Sequence, residues 1–143
     1  MSPDEVYQEY KDKFASKIED MSKEQLEIIF YAARDAEMPK IAVLPYLGEG
    51  ETVSYSFSEL TAICPMTALP DTYTLIIQYE PGNKVPELKS LRYYFLAYRN
   101  LPIIHELLLD KIRQDFRNAV EPKELKVTLD VAIRGGIKTD IEG

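Results

Sequence analysis

Apolar and polar positions alternate along this chain with two different periods, and the switches between them divide it into elements. Near the start Val6, Tyr10, Phe14 and Ile18 recur every four residues behind Ser2-Pro3, an N-cap with proline at the first helical position. Ser22-Lys23-Glu24-Gln25 is a capping-box pattern. It opens a second helical run, Leu26, Ile29, Phe30 and Ala33, which Met38-Pro39 closes. The spacing thus predicts a helical arm, able to pack on its own domain or on a neighbour. An apolar link over 41–47 leads to a turn at Gly48-Glu49-Gly50. Val53, Tyr55 and Phe57 then alternate with Ser54, Ser56 and Ser58, which predicts a half-buried strand. A loop over 64–71, fixed by Pro65 and Pro70, precedes a second strand at 73–80 that Pro81-Gly82-Asn83 ends.

The period changes again in the second half. Leu88, Leu91, Phe95 and Tyr98 have helical spacing, as do Ile104, Leu108, Ile112 and Phe116, with Asn100-Leu101-Pro102 between the two runs. Leu125, Val127, Leu129, Val131 and Ile133 alternate with Lys126, Thr128 and Asp130, a third strand that Arg134-Gly135-Gly136 breaks before a short fourth at 137–141. Paired strands around two consecutive helices predict an α+β fold, an antiparallel sheet with both helices on one face. Residues 1–50 read as arm and linker, and 51–143 as the domain. Such a sheet has two edges to protect, and pairing them between subunits into a closed barrel makes a homo-oligomer the expected state.

Composition narrows the function. The 143 residues carry 17 Lys+Arg against 24 Asp+Glu, a formal charge of −7, which argues against a stable nucleic-acid complex. No apolar run approaches the ~20 residues of a membrane span, and the acidic start does not read as a secretory signal. One cysteine and one histidine exclude a disulfide framework and a closed His/Cys zinc site, so no metal is expected and a reducing, cytoplasmic setting fits.

The densest chemical segment is Cys64-Pro65-Met66-Thr67-Ala68-Leu69-Pro70-Asp71. A lone cysteine is ordinarily a small buried hydrophobe, and an aspartate after proline an ordinary turn residue. Yet Pro65 holds Cys64 out of helical geometry, and Asp71 can fold back to the same place. A thiolate beside a general acid suits addition to an electrophilic carbon, with protonation of the anion that develops. Because no Lys, Arg or His lies within ten residues of Cys64, any cation that activates it must arrive through the fold, with His105 as one source. His105-Glu106 are adjacent on a helix with diverging side chains, and read first as a surface pair that could share one site only at an interface or cleft. Lys89 and Arg92, three apart, share a helix face that suits phosphates or plain solvation, and Arg134-Gly135 adds a guanidinium beside a backbone able to approach a ligand.

The ordered combination Cys64-Pro65-x-Thr67-x-x-Pro70-Asp71, Glu87-Leu88-Lys89-Ser90-Leu91-Arg92-Tyr93-Tyr94, His105-Glu106 and Arg134-Gly135-Gly136-Ile137 resembles the 7-cyano-7-deazaguanine reductases. These are the nitrile reductases of queuosine biosynthesis, here in their short single-module form. The resemblance covers roughly residues 52–137 and leaves the arm outside. It implies a tunnelling fold (T-fold) whose subunits close into a barrel-like ring, a homo-oligomer of two stacked pentamers with sites between subunits. It also implies roles. Cys64 would add to the nitrile carbon of a small deazapurine substrate, giving a covalent thioimide; Asp71 would protonate the nitrogen and His105 would assist proton transfer. Glu106 would hold the guanine-like edge, with Glu87 and Ser90 also on the substrate. Lys89, Arg92, Arg134 and Gly135 would hold NADPH.

Four positions depart from the family pattern. Ala68-Leu69 stand where Gly-Gln is common, Ile104 where phenylalanine is common before His-Glu, and Arg92 where lysine is usual. Two alternatives use the same pocket differently. One is the related archaeal amidinotransferase, which acts on the nitrile base within transfer RNA without NADPH and typically lacks the Glu-Leu-Lys-Ser segment. The other is a non-catalytic deazapurine-binding oligomer.

Overall fold

A computed structural model describes residues 1–14 and 21–143, so Ile18 lies outside the described residues. The elements in chain order are α1 (Pro3–Lys13), α2 (Lys23–Arg34), β1 (Val43–Pro45), β2 (Val53–Ile63), β3 (Pro70–Glu80) and β4 (Lys84–Pro86). Then come α3 (Leu88–Leu96), a 3-10 turn (Ala97–Asn100), α4 (His105–Val120), β5 (Glu124–Arg134) and β6 (Ile137–Glu142).

Both arm helices start as the sequence signals. Ser2 Oγ accepts from the Glu5 N–H while the Glu5 carboxylate accepts from the Ser2 N–H, and Ser22 and Gln25 repeat this reciprocal cap. The second helix stops at Arg34, ahead of Met38-Pro39, where Lys111 from α4 donates to the Arg34 and Ala36 carbonyls. A cation on two otherwise unpaired carbonyls ends a helix well.

The main sheet runs β2-β3-β5-β6, antiparallel throughout. One face carries Tyr73, Leu75, Ile77 and Tyr79 of β3 with Val127, Leu129 and Val131 of β5, all buried. Both helices cover that face: Phe95 of α3 stacks on Phe57 at 5.0 Å between centroids, and Phe116 of α4 meets Tyr79 edge-on at 5.1 Å. The opposite face presents Ser54, Ser56, Thr74, Gln78 and Thr128 and has no helix over it among the described residues. β2 and β6 form the two edges.

β2 runs past the alternation that marked it, to Ile63, and a bulge is the reason. Between Phe57 and Leu60 the pairing of β2 with β3 slips, because Phe57 faces Leu75 and Leu60 faces Tyr73. The extra residue reverses parity, so Leu60 and Ala62 turn inward where Ser54 and Ser56 turn outward. β5 repeats the device between Val131 and Arg134. The sequence reading also missed a small sheet. β1, inside the expected link, pairs antiparallel with β4 through Val43–Pro86, Leu44–Val85 and Pro45–Lys84. Three-residue strands offer too little alternation to be seen without their partner.

The arm packs on its own chain. Val6, Ala33, Ala36 and Ile41 join the central core, while Tyr10, Phe14 and Ile29 form a second apolar cluster with Ile63 of β2. No helix among the described residues is long and apolar enough to cross a membrane.

Candidate active site

The end of β2 and the start of β3 form a hairpin in which Ala62 pairs with Asp71 and Ile63 with Pro70. Asp71 therefore sits on a strand, not in the loop expected for it, and the pairing returns it to the side of Cys64. The connecting loop is closed by backbone bonds: Cys64 N–H donates to the Leu69 carbonyl at 2.9 Å and Ala68 N–H to the Cys64 carbonyl at 2.8 Å.

Within this loop Cys64 stands where an N-cap residue stands. Pro65 follows at the first turn, and the N–H groups of Met66 and Thr67 and the Thr67 hydroxyl stand beside the Cys64 sulfur and favour its anionic form. Burial pushes the Cys64 thiol up, but these donors and the Arg134 guanidinium outweigh it and leave the pKa below the ordinary thiol value. The cation that the sequence could not supply nearby is thus Arg134 and not His105.

Arg134 comes from the far end of β5. It pairs with the Asp71 carboxylate, and its Nη2 donates to Thr67 Oγ1 at 3.5 Å. Asp71 is only 3% exposed, while the Arg134 side chain is 36% exposed, so the ion pair is half-open to solvent. The two bulges explain the meeting. Leu60 and Ala62 set the parity that Cys64 continues, and the bulge in β5 lets even-numbered Arg134 reach the carboxylate on the face of odd-numbered Val131. Gly135 and Gly136 then reverse the chain with φ of +55° and +80°, the backbone of a two-residue type I′ hairpin. That turn by itself accounts for both glycines.

Tyr73 closes the group from β3. Its hydroxyl donates to Asp71 Oδ2 at 3.4 Å, and burial, then the Asp71 charge, push its pKa up strongly, so it stays protonated. The Tyr73 ring meets His105 edge-on at 6.4 Å between centroids. A parallel bridge explains how α4 arrives here. Ile63 N–H donates to the Leu101 carbonyl and Ile103 N–H to the Ile63 carbonyl, each at 3.0 Å, which brings the start of α4 alongside the residue before Cys64. His105 Nε2 is 3.5 Å from the exposed Glu106 carboxylate, and its buried Nδ1 has no hydrogen-bond partner among the described residues. Ile104 supplies no side-chain cap to α4.

The residues at the start of α3 are occupied differently. Glu87 caps the helix, accepting from Lys89 N–H at 2.9 Å and Ser90 N–H at 2.7 Å, and these bonds hold its pKa below the usual carboxylate range. Ser90 Oγ donates to the Glu87 carbonyl and accepts from Ala42 N–H, which ties β1 to the helix. Lys89 and Arg92 are exposed; Lys89 lies 6.0 Å from the Tyr93 ring centre, and Arg92 reaches Glu59 only at 3.8 Å. Hydrogen bonds and an ion pair thus unite Asp71, Thr67, Tyr73 and Arg134 beside Cys64, with His105 against Tyr73, while the residues at the start of α3 meet Ala42, Tyr93 and Glu59. Sequence reasoning assigned no role to Thr67 or Tyr73. The Cys-Pro-x-Thr spacing, which repeats the geometry of Ser2-Pro3-Asp4-Glu5, is the signal for Thr67; Tyr73 has none beyond its place two residues after Asp71.

A family model described as "QueF-like protein" matches residues 70–143, just over half of the chain. The chain belongs to the QueF-like family. The NADPH-dependent 7-cyano-7-deazaguanine reductase of Chloroherpeton thalassium is 42% identical over 96 residues, which cover 67% of this chain and 83% of that protein. The enzyme of the same name from Caldicellulosiruptor bescii is 37% identical over 117 residues, 82% of this chain and 89% of that protein. Among solved structures, the apo form of the archaeosine synthase QueF-Like superposes with a TM-score of 0.60 at 22% identity, over 67% of this chain and 94% of that one, a likeness of fold.

One departure within this QueF-like chain has a measurable cost. Ala68, where glycine is common in the resembling reductases, has φ of +59°, the left-handed region in which a Cβ costs about 1–2 kcal/mol. Ala68→Gly relieves that strain and gives back part of it as unfolded-state entropy. It is expected to stabilise by about 0.5–1 kcal/mol, read as a rise of roughly 2 °C in the thermal midpoint.

Proposed function

We propose that this chain reduces the nitrile of 7-cyano-7-deazaguanine to an aminomethyl group with NADPH, through a covalent adduct on Cys64. The observation that carries the chemistry is the meeting of a lowered-pKa thiol and a buried carboxylate on one guanidinium, in a QueF-like chain. Cys64 Sγ attacks the nitrile carbon, so that a C–S bond forms as one carbon–nitrogen π bond breaks. Asp71 carries the thiol proton to the nitrogen, and this addition is proton-neutral overall. Arg134 stabilises the negative charge that the sulfur carries as Asp71 takes its proton, and keeps that carboxyl group aimed at the reacting atoms. Tyr73 donates to Asp71 and orients it, and His105, against the Tyr73 ring, would assist proton transfer. Glu106, exposed beside His105, is placed to accept two N–H bonds from the guanine-like edge.

Two molecules of NADPH would supply one hydride each, which with two protons take a nitrile to a primary amine, the C–S bond breaking between the two transfers so that Cys64 is returned. Lys89 and Arg92 fit the NADPH phosphates: both are exposed, they share a helix face, and neither is held in a close ion pair among the described residues. Since Glu87 already occupies the N–H groups at the start of α3, phosphate contacts there come from the two side chains. The edges of β2 and β6 and the uncovered polar face support a further reading, closure of subunits into a tunnelling-fold ring of two stacked pentamers, in which α3 of one subunit serves the Cys64 site of the next.

The test is NADPH oxidation followed with free 7-cyano-7-deazaguanine. Oxidation that requires the base is expected. None, with ammonia incorporated into transfer RNA carrying the base, overturns the reading in favour of amidino transfer. A substrate-free measurement accompanies it. Iodoacetamide is expected to alkylate Cys64 with a pH midpoint below the ~8.5 of a free thiol, because the thiolate is stabilised in the folded chain.

A further inference from the structure

The second apolar cluster lies against the nucleophile loop and touches it at three points. Ile63, the residue before Cys64, belongs to it; Ala68, at the far end of the loop, packs on it; and between them the Tyr10 hydroxyl donates to the Pro65 carbonyl at 2.9 Å. Tyr10 is 2% exposed and sits 55 positions away in sequence, on α1, outside the residues matched by the family model.

The Pro65 carbonyl and the Met66 N–H are opposite ends of one planar peptide unit. Pinning the oxygen therefore fixes the direction of the N–H, and that N–H is one of the groups beside the Cys64 sulfur that favour its anionic form. A hydrogen bond accepted at the oxygen also polarises the amide and strengthens the bond its N–H makes. We propose that Tyr10 is a positioning residue for the nucleophile, holding the Pro65–Met66 peptide so that its N–H faces the Cys64 sulfur. The inference rests on the reading of Cys64 as the attacking group, and it gives the N-terminal arm a part in the chemistry. Burial and then the Cys64 charge push the Tyr10 pKa up to about 12, so the hydroxyl remains a donor across the working pH range.

Tyr10→Phe removes the hydroxyl and keeps the ring in its cluster. With the full chain, Cys64 alkylation by iodoacetamide at pH 7 is expected to slow about 2–5-fold, its pH midpoint to move upward, and kcat for nitrile reduction to fall several-fold at unchanged KM. Phe14→Leu, which loosens the same cluster without touching the hydrogen bond, is the comparison. Superimposable alkylation profiles for Tyr10→Phe and wild type overturn the inference, and so does an equal shift in Phe14→Leu at matched loss of thermal stability. Alkylation needs no substrate, so the two readings fail separately. A wild-type chain that does not reduce the nitrile sinks the proposed reaction, whereas an active one with an indifferent Tyr10→Phe sinks only this step.

Discussion

Cys64→Ala is expected to abolish a mass increment equal to one whole molecule of 7-cyano-7-deazaguanine. Addition to a nitrile expels nothing, so the wild-type adduct weighs as much as protein plus substrate, and intact-mass measurement reads it directly. Base-dependent NADPH oxidation is expected to fall by roughly three orders of magnitude or more, the scale on which loss of a covalent nucleophile acts. Stability changes little, within about 1 kcal/mol, because Cys64 is only half-buried and Asp71 keeps its pairing with Arg134. Cys64→Ser separates nucleophilicity from shape: the hydroxyl fits the same turn but is not ionised near neutrality, so it too forms no adduct. Tight binding of the base without any mass change in the wild-type chain would instead identify a binding protein.

Arg134→Leu is expected to have the second-largest effect, on three readouts at once. Removing the cation leaves burial pushing the Cys64 thiol up against the loop donors alone, so the alkylation midpoint moves upward. Turnover falls by about 10–100-fold, since the thiolate is scarcer and Asp71 loses its anchor. The fold weakens too. Stranding one partner of a fully buried pair costs about 3–5 kcal/mol, and with Arg134 36% exposed the expected loss is nearer ~2 kcal/mol. Its pH dependence has a definite sign. A thiol with a folded pKa below its unfolded value contributes stability fully present above the unfolded pKa and lost as pH falls through the folded one. The Cys64 share of the penalty therefore grows from neutral to alkaline pH, which denaturant unfolding at two pH values measures. Arg134→Lys keeps the charge without the fork and is expected to fall between the two.

The periods of apolar residues were enough to place the helices and the four main strands, because capping pairs such as Ser2 with Glu5 and alternation such as that of 125–133 are local physics. Where alternation broke, legibility broke with it. The strand read from Val53 to Ser58 continues to Ile63, and the bulge that hid this is what turns Cys64 toward the buried face. The small β1–β4 pair was unreadable because its halves lie some forty residues apart.

For the site the division is similar. Residue types and order marked Cys64 and Asp71, since their proximity needs only a hairpin. The same order marked Lys89 and Arg92 as a cationic face but carried nothing about Arg134 meeting the sulfur, or Tyr10 meeting the loop. Local sequence determines which conformations and charges a segment carries. Which segment answers which is decided by strand register and packing, where one inserted residue exchanges the two faces of a strand. In this protein two such insertions bring an arginine to a cysteine seventy positions before it in the chain.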